Sequence, residues 1–228
     1  MMKVGPTLRG QVKSIGRPAR TVSFLWRLIL GPCALSLFAL SALFSPVRAE
    51  ENLEARGKRI ATEVCAECHG RDGRGVSSDY PGLAGQNAEY IVKQIFNFKT
   101  GQRKNDDMAP VLEKLLAVDI RAVALHFAKL RAAKWPSTDQ QLLAEGRQLY
   151  LNGNPKSGIS ACVACHDANG VGGAQMPRVV GQNPVYLEKQ LRAFMSKQRQ
   201  NDHLMHLSLI AMSDREIKAV AAYLGNEE

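Results

Sequence analysis

Two stretches of the chain, TEVCAECHGRDGRGV (62–76) and GISACVACHDANGVGG (158–173), share the pentapeptide core C-x-x-C-H. Cys65, Cys68 and His69 in the first return as Cys162, Cys165 and His166 in the second, 97 residues later (162 minus 65). On a helical turn, positions i, i+3 and i+4 share a face, so each pentapeptide turns two thiols and one imidazole to the same side. The likeness runs well past the pentapeptide. YPGLAGQNAEYIVKQI (80–95) matches MPRVVGQNPVYLEKQL (176–191), GQRKNDDMAP (101–110) matches KQRQNDHLMH (197–206), and VDIRAVALHFAKL (118–130) matches REIKAVAAYLGNE (215–227). The offset slips by one residue between the paired Asn-Asp and the methionine that follows. The chain is therefore a tandem duplication with small loop edits.

Three chemistries compete for the pentapeptide. Structural disulfides suit an exported protein but give no reason for the histidine behind each pair. Zinc asks for four N or S donors, and the first unit offers Cys65, Cys68 and His69 with only the distant His126 to complete the set. A thioredoxin-like pair needs a βαβ setting, whereas the flanks here are glycine-rich and helical. C-x-x-C-H is the attachment signature of haem c: the two thiols add to the porphyrin vinyl groups and the imidazole reaches the iron. Two signatures in register predict two covalently bound haems.

The first 49 residues stand apart. They contain no Asp or Glu, and their seven basic residues bracket an uncharged, mostly apolar run from Leu28 to Phe44. A basic head, an apolar middle and the small-x-small exit Val47-Arg48-Ala49 describe an export signal cleaved after Ala49; an uncleaved anchor is the alternative, although a run this short interrupted by Pro32 barely spans a bilayer. Of five cysteines, the odd one, Cys33, falls in this leader. Of 30 basic residues, removing the leader's seven leaves 23 against 21 acidic ones, so the whole-chain charge of +9 shrinks to about +2. A nucleic-acid partner is excluded: no polybasic run survives, and no aromatic and basic residues interleave as a stacking platform.

Periodicity predicts an all-α chain organised as a leader (1–49), a first domain (50–131), a linker around Pro136 (132–140) and a second domain (141–228). In each unit a helix is expected to run into the haem motif, with Gly57 and Gly146 at matching places where another helix can cross closely. Asn87 and Asn183 are expected to cap the next helix, the latter with Pro184 at its first position. Ile120, Val123, Ala124 and Phe127, repeated as Ile217, Val220, Ala221 and Leu224, show the 3.6-residue period of a half-buried final helix. Ser213 and Glu216 form a capping box ahead of it.

These two units resemble class I cytochrome c domains, and their arrangement resembles the dihaem cytochrome c4 family over essentially the whole chain after the leader. GQNAEYIVKQI and GQNPVYLEKQL, then QRKND and QRQND ahead of the methionine, carry the resemblance. It implies histidine and methionine on each iron, and electron transfer near the outer face of the cytoplasmic membrane.

A search of the residues reaches the same ligands. Beyond His69, the first unit holds Met108 and His126 as soft or nitrogen donors; His126 pairs with Tyr223, which marks a packing or surface position, so Met108, expected in an irregular loop closed by Pro110, is the sixth ligand. In the second unit Met176, Met195, His203, Met205, His206 and Met212 compete. Register with Met108 selects Met205, leaving His203 and His206 as solvated loop residues. The carbonyls of Pro81 and Pro177 occupy the places that hold the ligand histidine's other N–H in similar cytochromes. Tyr90 with Gln94, and Tyr186 with Gln190, lie one helical turn apart; they either hold haem propionates at a domain interface or are solvated.

The function expected is a periplasmic electron carrier between a cytochrome bc complex or dehydrogenase and a terminal oxidase. The alternatives are the cytochrome subunit of a larger dehydrogenase, and a dihaem peroxidase, against which a methionine in register in both units speaks.

Overall fold

The computed structural model describes residues 46–227; the Leu28–Phe44 run and most of the expected export signal lie outside the described residues. Helix α1 (Pro46–Ile60) begins ahead of the expected cleavage point and continues through a π-helical segment, Ala61–Cys65, into the short α2 (Ala66–His69). There follow α3 (Ala88–Lys99), α4 (Met108–Glu113) and α5 (Ala117–Ala128). The second repeat runs through α6 (Gln140–Asn152), α7 (Val163–His166), α8 (Pro184–Met195), α9 (His203–Leu209) and α10 (Asp214–Asn226). Among the described residues the only β pairing is the isolated bridge between Asn154 and Ile159.

Each repeat folds on its last helix. In the first, Ile120, Val123 and Phe127 of α5 bury themselves among Ile60 of α1, Ile91 and Ile95 of α3 and Leu112 of α4. In the second, Ile217, Val220 and Leu224 of α10 meet Tyr150 of α6, Leu187 and Phe194 of α8 and Leu209 of α9. Every apolar position picked out by the 3.6-residue period in these two helices is buried. The Ser213–Glu216 capping box also forms, with the Ser213 N–H donating to Glu216 Oε2 at 2.8 Å and the Glu216 N–H to Ser213 Oγ at 3.3 Å. At the matching place in the first repeat Asp119 does the work alone: its Oδ2 accepts from the Leu116 N–H while its Oδ1 takes Arg56 Nε of α1 at 2.6 Å.

Several local expectations need correction. A helix enters the haem motif without a break only in the first repeat; α6 stops at Asn152, where Gly153 takes up a φ of 66°, and the chain makes a small hairpin closed by the Asn154–Ile159 bridge before reaching Cys162. Met108 is not in an irregular loop. It opens α4, with Pro110 tolerated inside the first turn, where its missing N–H has no helical partner to lose. His206 is not solvated: it is buried within α9, and its Nδ1 lies 2.9 Å from the Phe194 carbonyl, tying α9 to the end of α8. His203 is exposed.

Between α5 and α6, residues 131–139 carry no helix. The stretch is nonetheless pinned to the second repeat, for the Trp135 N–H donates to the Gly225 carbonyl at 2.8 Å and the Ser137 N–H to Asn226 Oδ1 at 3.2 Å.

Candidate haem sites

α2 and α7 hold the two pentapeptides. Cys65, Cys68, Cys162 and Cys165 are all free thiols, and among the described residues no three His, Cys, Asp or Glu side chains converge as a metal cluster would require.

His69 and His166 are 5% and 7% exposed. His69 Nδ1 is 2.9 Å from the Pro81 carbonyl oxygen and His166 Nδ1 is 3.3 Å from that of Pro177. A carbonyl can only accept, so Nδ1 carries the proton and Nε2 keeps its lone pair. Burial lowers the pKa of both imidazoles and keeps them neutral. His69 Nε2 is buried with no hydrogen-bond partner. An aligned, neutral, unpartnered ring nitrogen is what an iron centre takes as its axial ligand, so the residues present fit the group.

The loop facing each histidine is shaped by a glycine. Gly75 and Gly172 both adopt positive φ, and a β-carbon on either would lie 2.6 Å from a carbonyl oxygen, Tyr80 in one case and Pro177 in the other. Their N–H groups donate to the carbonyls of His69 and His166. Only a residue without a side chain lets the chain turn back this closely, which brings the proline carbonyls to the imidazoles.

Met108 and Met205 sit at the margins of the two cores, each packed against the buried cluster of its own repeat. Each has its own N–H held by the side chain three residues before it: Met108 by Asn105 Oδ1 at 2.8 Å, Met205 by Asp202 Oδ1 at 3.2 Å. The two methionines thus share a local geometry as well as a register. His126 instead lies at the α1–α5 crossing, its Cβ beside Gly57, as Tyr223 lies beside Gly146.

The two repeats meet through polar groups that sequence reasoning noticed only in part. Arg199, 9% exposed, donates from Nη2 to Tyr90 Oη at 2.9 Å and Gln94 Oε1 at 3.1 Å, and from Nη1 to Gln190 Oε1 at 2.9 Å. Arg103 answers from the first repeat, donating to Gln94 Oε1 at 2.9 Å and to Tyr186 Oη and Gln190 Oε1 at 3.0 Å each. Each guanidinium also lies over a ring, Arg103 on Phe98 and Arg199 on Phe194. Burial pushes the Arg199 guanidinium down from its usual value. Among the described residues neither arginine meets a carboxylate. Tyr90, Gln94, Tyr186 and Gln190 are therefore interface groups rather than solvated ones. The arginines themselves stand in the sequence as the repeated QR of QRKND and QRQND.

The cytochrome c family model matches residues 54–116 and 143–227. Cytochrome c4 of Thiocapsa roseopersicina is 37% identical over 174 residues, covering 74% of this chain and 89% of the relative. The chain belongs to the dihaem cytochrome c4 family. It carries two covalently bound haem c groups with iron, and it is an electron carrier rather than an enzyme. The crystal structure of reduced recombinant cytochrome c4 from Pseudomonas stutzeri superimposes with a TM-score of 0.72 at 30% identity, over 77% of this chain and 98% of that one. A protein of Stutzerimonas stutzeri (strain A1501) named thiosulfate dehydrogenase electron acceptor is 38% identical over 176 residues, 75% of this chain and 82% of the relative. All-helical architecture and tandem class I domains are thus as the repeat implied.

Proposed function

We propose that this cytochrome c4 works in the periplasm, taking electrons from a dehydrogenase or a cytochrome bc complex and delivering them to a terminal oxidase. Residues 1–49 are its export signal, and 50–131 and 141–228 its two haem domains joined by 132–140. Cys65 and Cys68 would hold one haem by thioether bonds, with His69 and Met108 as ligands to its iron; Cys162, Cys165, His166 and Met205 would hold the other. A haem held in this way supplies a one-electron Fe(III)/Fe(II) couple. With a histidine and a methionine both committed to each iron, the protein would support electron transfer and offer no position for a substrate.

The observation that carries the reading is the buried, unpartnered Nε2 of His69, whose other nitrogen is already fixed by Pro81. The relative named for accepting electrons from thiosulfate dehydrogenase supports a dehydrogenase as the donor. Among the described residues no helix is long and apolar enough to cross a membrane. Arg103 and Arg199, which meet no carboxylate among the described residues, would supply positive charge for haem propionates at the interface between the repeats.

Optical spectroscopy of the oxidised holoprotein tests the ligand set. Met108→Ala and Met205→Ala should each remove about half of the far-red sulfur-to-iron band. A band unchanged in either variant overturns that methionine's assignment.

A further inference from the structure

Gln86 and Gln182 occupy the same place in the two repeats, in the GQN that precedes α3 and α8. Both are buried. Each side-chain amide crosses to the other repeat and clasps the backbone of one residue there, the one after the histidine-holding proline. Gln182 Oε1 accepts from the Gly82 N–H at 2.9 Å while its Nε2 donates to the Gly82 carbonyl at 2.9 Å. Gln86 does the same to Arg178, with 2.8 Å for both bonds. The orientation of each amide is fixed, because the same Oε1 also accepts from the next N–H of its own chain, Asn87 or Asn183; turning the amide over would set carbonyl against carbonyl.

The Gly82 N–H and the Pro81 carbonyl belong to one peptide group. On one side that group receives the His69 Nδ1–H, and on the other it donates to Gln182. Hydrogen bonds at the two ends of an amide polarise it cooperatively: acceptance of the N–H by Gln182 raises the electron density on the Pro81 oxygen, which then binds the Nδ1–H more strongly. A stronger acceptor at Nδ1 makes Nε2 a better donor to a metal. The chain His166, Pro177, Arg178 N–H, Gln86 repeats the arrangement in the other direction.

We propose that each glutamine is a positioning residue for the opposite repeat's iron, Gln182 tuning the histidine of the first haem and Gln86 that of the second. The inference rests on His69 and His166 being axial ligands, and it makes each haem's electronics depend on the neighbouring domain. A more electron-rich histidine favours Fe(III), so loss of a glutamine should raise the potential of the haem across the interface and leave its own repeat's haem where it was.

The test uses the dihaem protein with Gln182→Met and, separately, Gln86→Met, which reverses the roles of the repeats. Potentials are read haem by haem by redox titration followed by paramagnetic NMR, together with the Nδ1–H signals of His69 and His166. Gln182→Met should raise the first haem's potential and shift the His69 Nδ1–H signal; Gln86→Met should do so for the second haem and His166. A merely structural role would move both haems together. Movement of both, of the haem in the substituted glutamine's own repeat, or of neither overturns the clasp while both histidines still show as ligands. Absence of histidine-ligand signals in the unsubstituted protein overturns the ligand assignment itself.

Discussion

Gly146 rests against Ala219 so closely that a β-carbon added to it would lie 2.0 Å from the Ala219 carbonyl oxygen; Gly57 stands in the same relation to Ala122, at 2.2 Å. The obstacle in both places is backbone, so no side-chain rotation relieves it. Gly146→Ala gains about 1 kcal/mol of helix propensity, but forcing α6 away from α10 costs about 1–3 kcal/mol or more. The packing cost wins. Denaturant unfolding of the dihaem protein should show a lower midpoint for Gly146→Ala and for Gly57→Ala, and an unchanged or raised midpoint would mean that the crossing yields easily.

Arg199 separates charge from hydrogen bonding. Arg199→Met removes a buried cation and leaves Tyr90, Gln94 and Gln190 without their shared donor; both the stability and at least one midpoint potential should fall, since a nearby positive charge favours the reduced haem. Arg199→Lys keeps the cation but not the planar fork. It should hold the potential closer to the original while still losing stability, as measured by redox titration and thermal unfolding side by side.

The acid limb of stability should depend on Asp119. Its hydrogen bond from Arg56 holds its pKa below the ordinary carboxylate value, aided by the Leu116 N–H. A carboxyl whose folded pKa is depressed contributes stability above its unfolded pKa, near 3.9, and loses it as the pH falls through the folded value. Asp119→Asn should therefore lower stability at neutral pH and flatten the decline between about pH 5 and pH 2, read from urea midpoints across that range.

Electron exchange with an oxidase should depend weakly on salt. The chain beyond the expected leader is almost balanced, 23 basic against 21 acidic residues, while Leu204 and Leu207 of α9, and Ile210 just after it, are exposed. An apolar rim, not a charged face, then does the docking. Second-order rates that collapse between low and physiological ionic strength would contradict this.

The repeated pentapeptides and the final helices were legible because their patterns are local: C-x-x-C-H fits within one turn, and Ile217, Val220 and Leu224 repeat at helical spacing. Asn87 shows where local reading stops. Asn183 caps α8 through Oδ1 as expected, but Asn87, its counterpart, turns its amide away from α3 and donates to the carbonyls of Val171, Gly173 and Met176 in the other repeat. Capping depends on the next three residues, whereas that choice depends on residues more than eighty positions away. His206 was misread for the same reason, since nothing near it announces the Phe194 carbonyl. The roles of Gln86, Gln182, Arg103 and Arg199 likewise appear only when the repeats are brought face to face.

The reciprocal clasp has a consequence for how such a chain can assemble. Gln86 on Arg178 and Gln182 on Gly82 are one contact used twice about a two-fold relation, which is the geometry of an isologous homodimer. A self-complementary surface of this kind closes on itself, and here both copies of it are spent within a single polypeptide. Joining the halves also frees them to differ: a substitution in a true homodimer alters both sides of the contact at once, whereas here one repeat can keep Gly82 where the other has Arg178, and Asn87 can abandon the capping role that Asn183 keeps. The tandem chain is in effect a dimer whose two members can specialise.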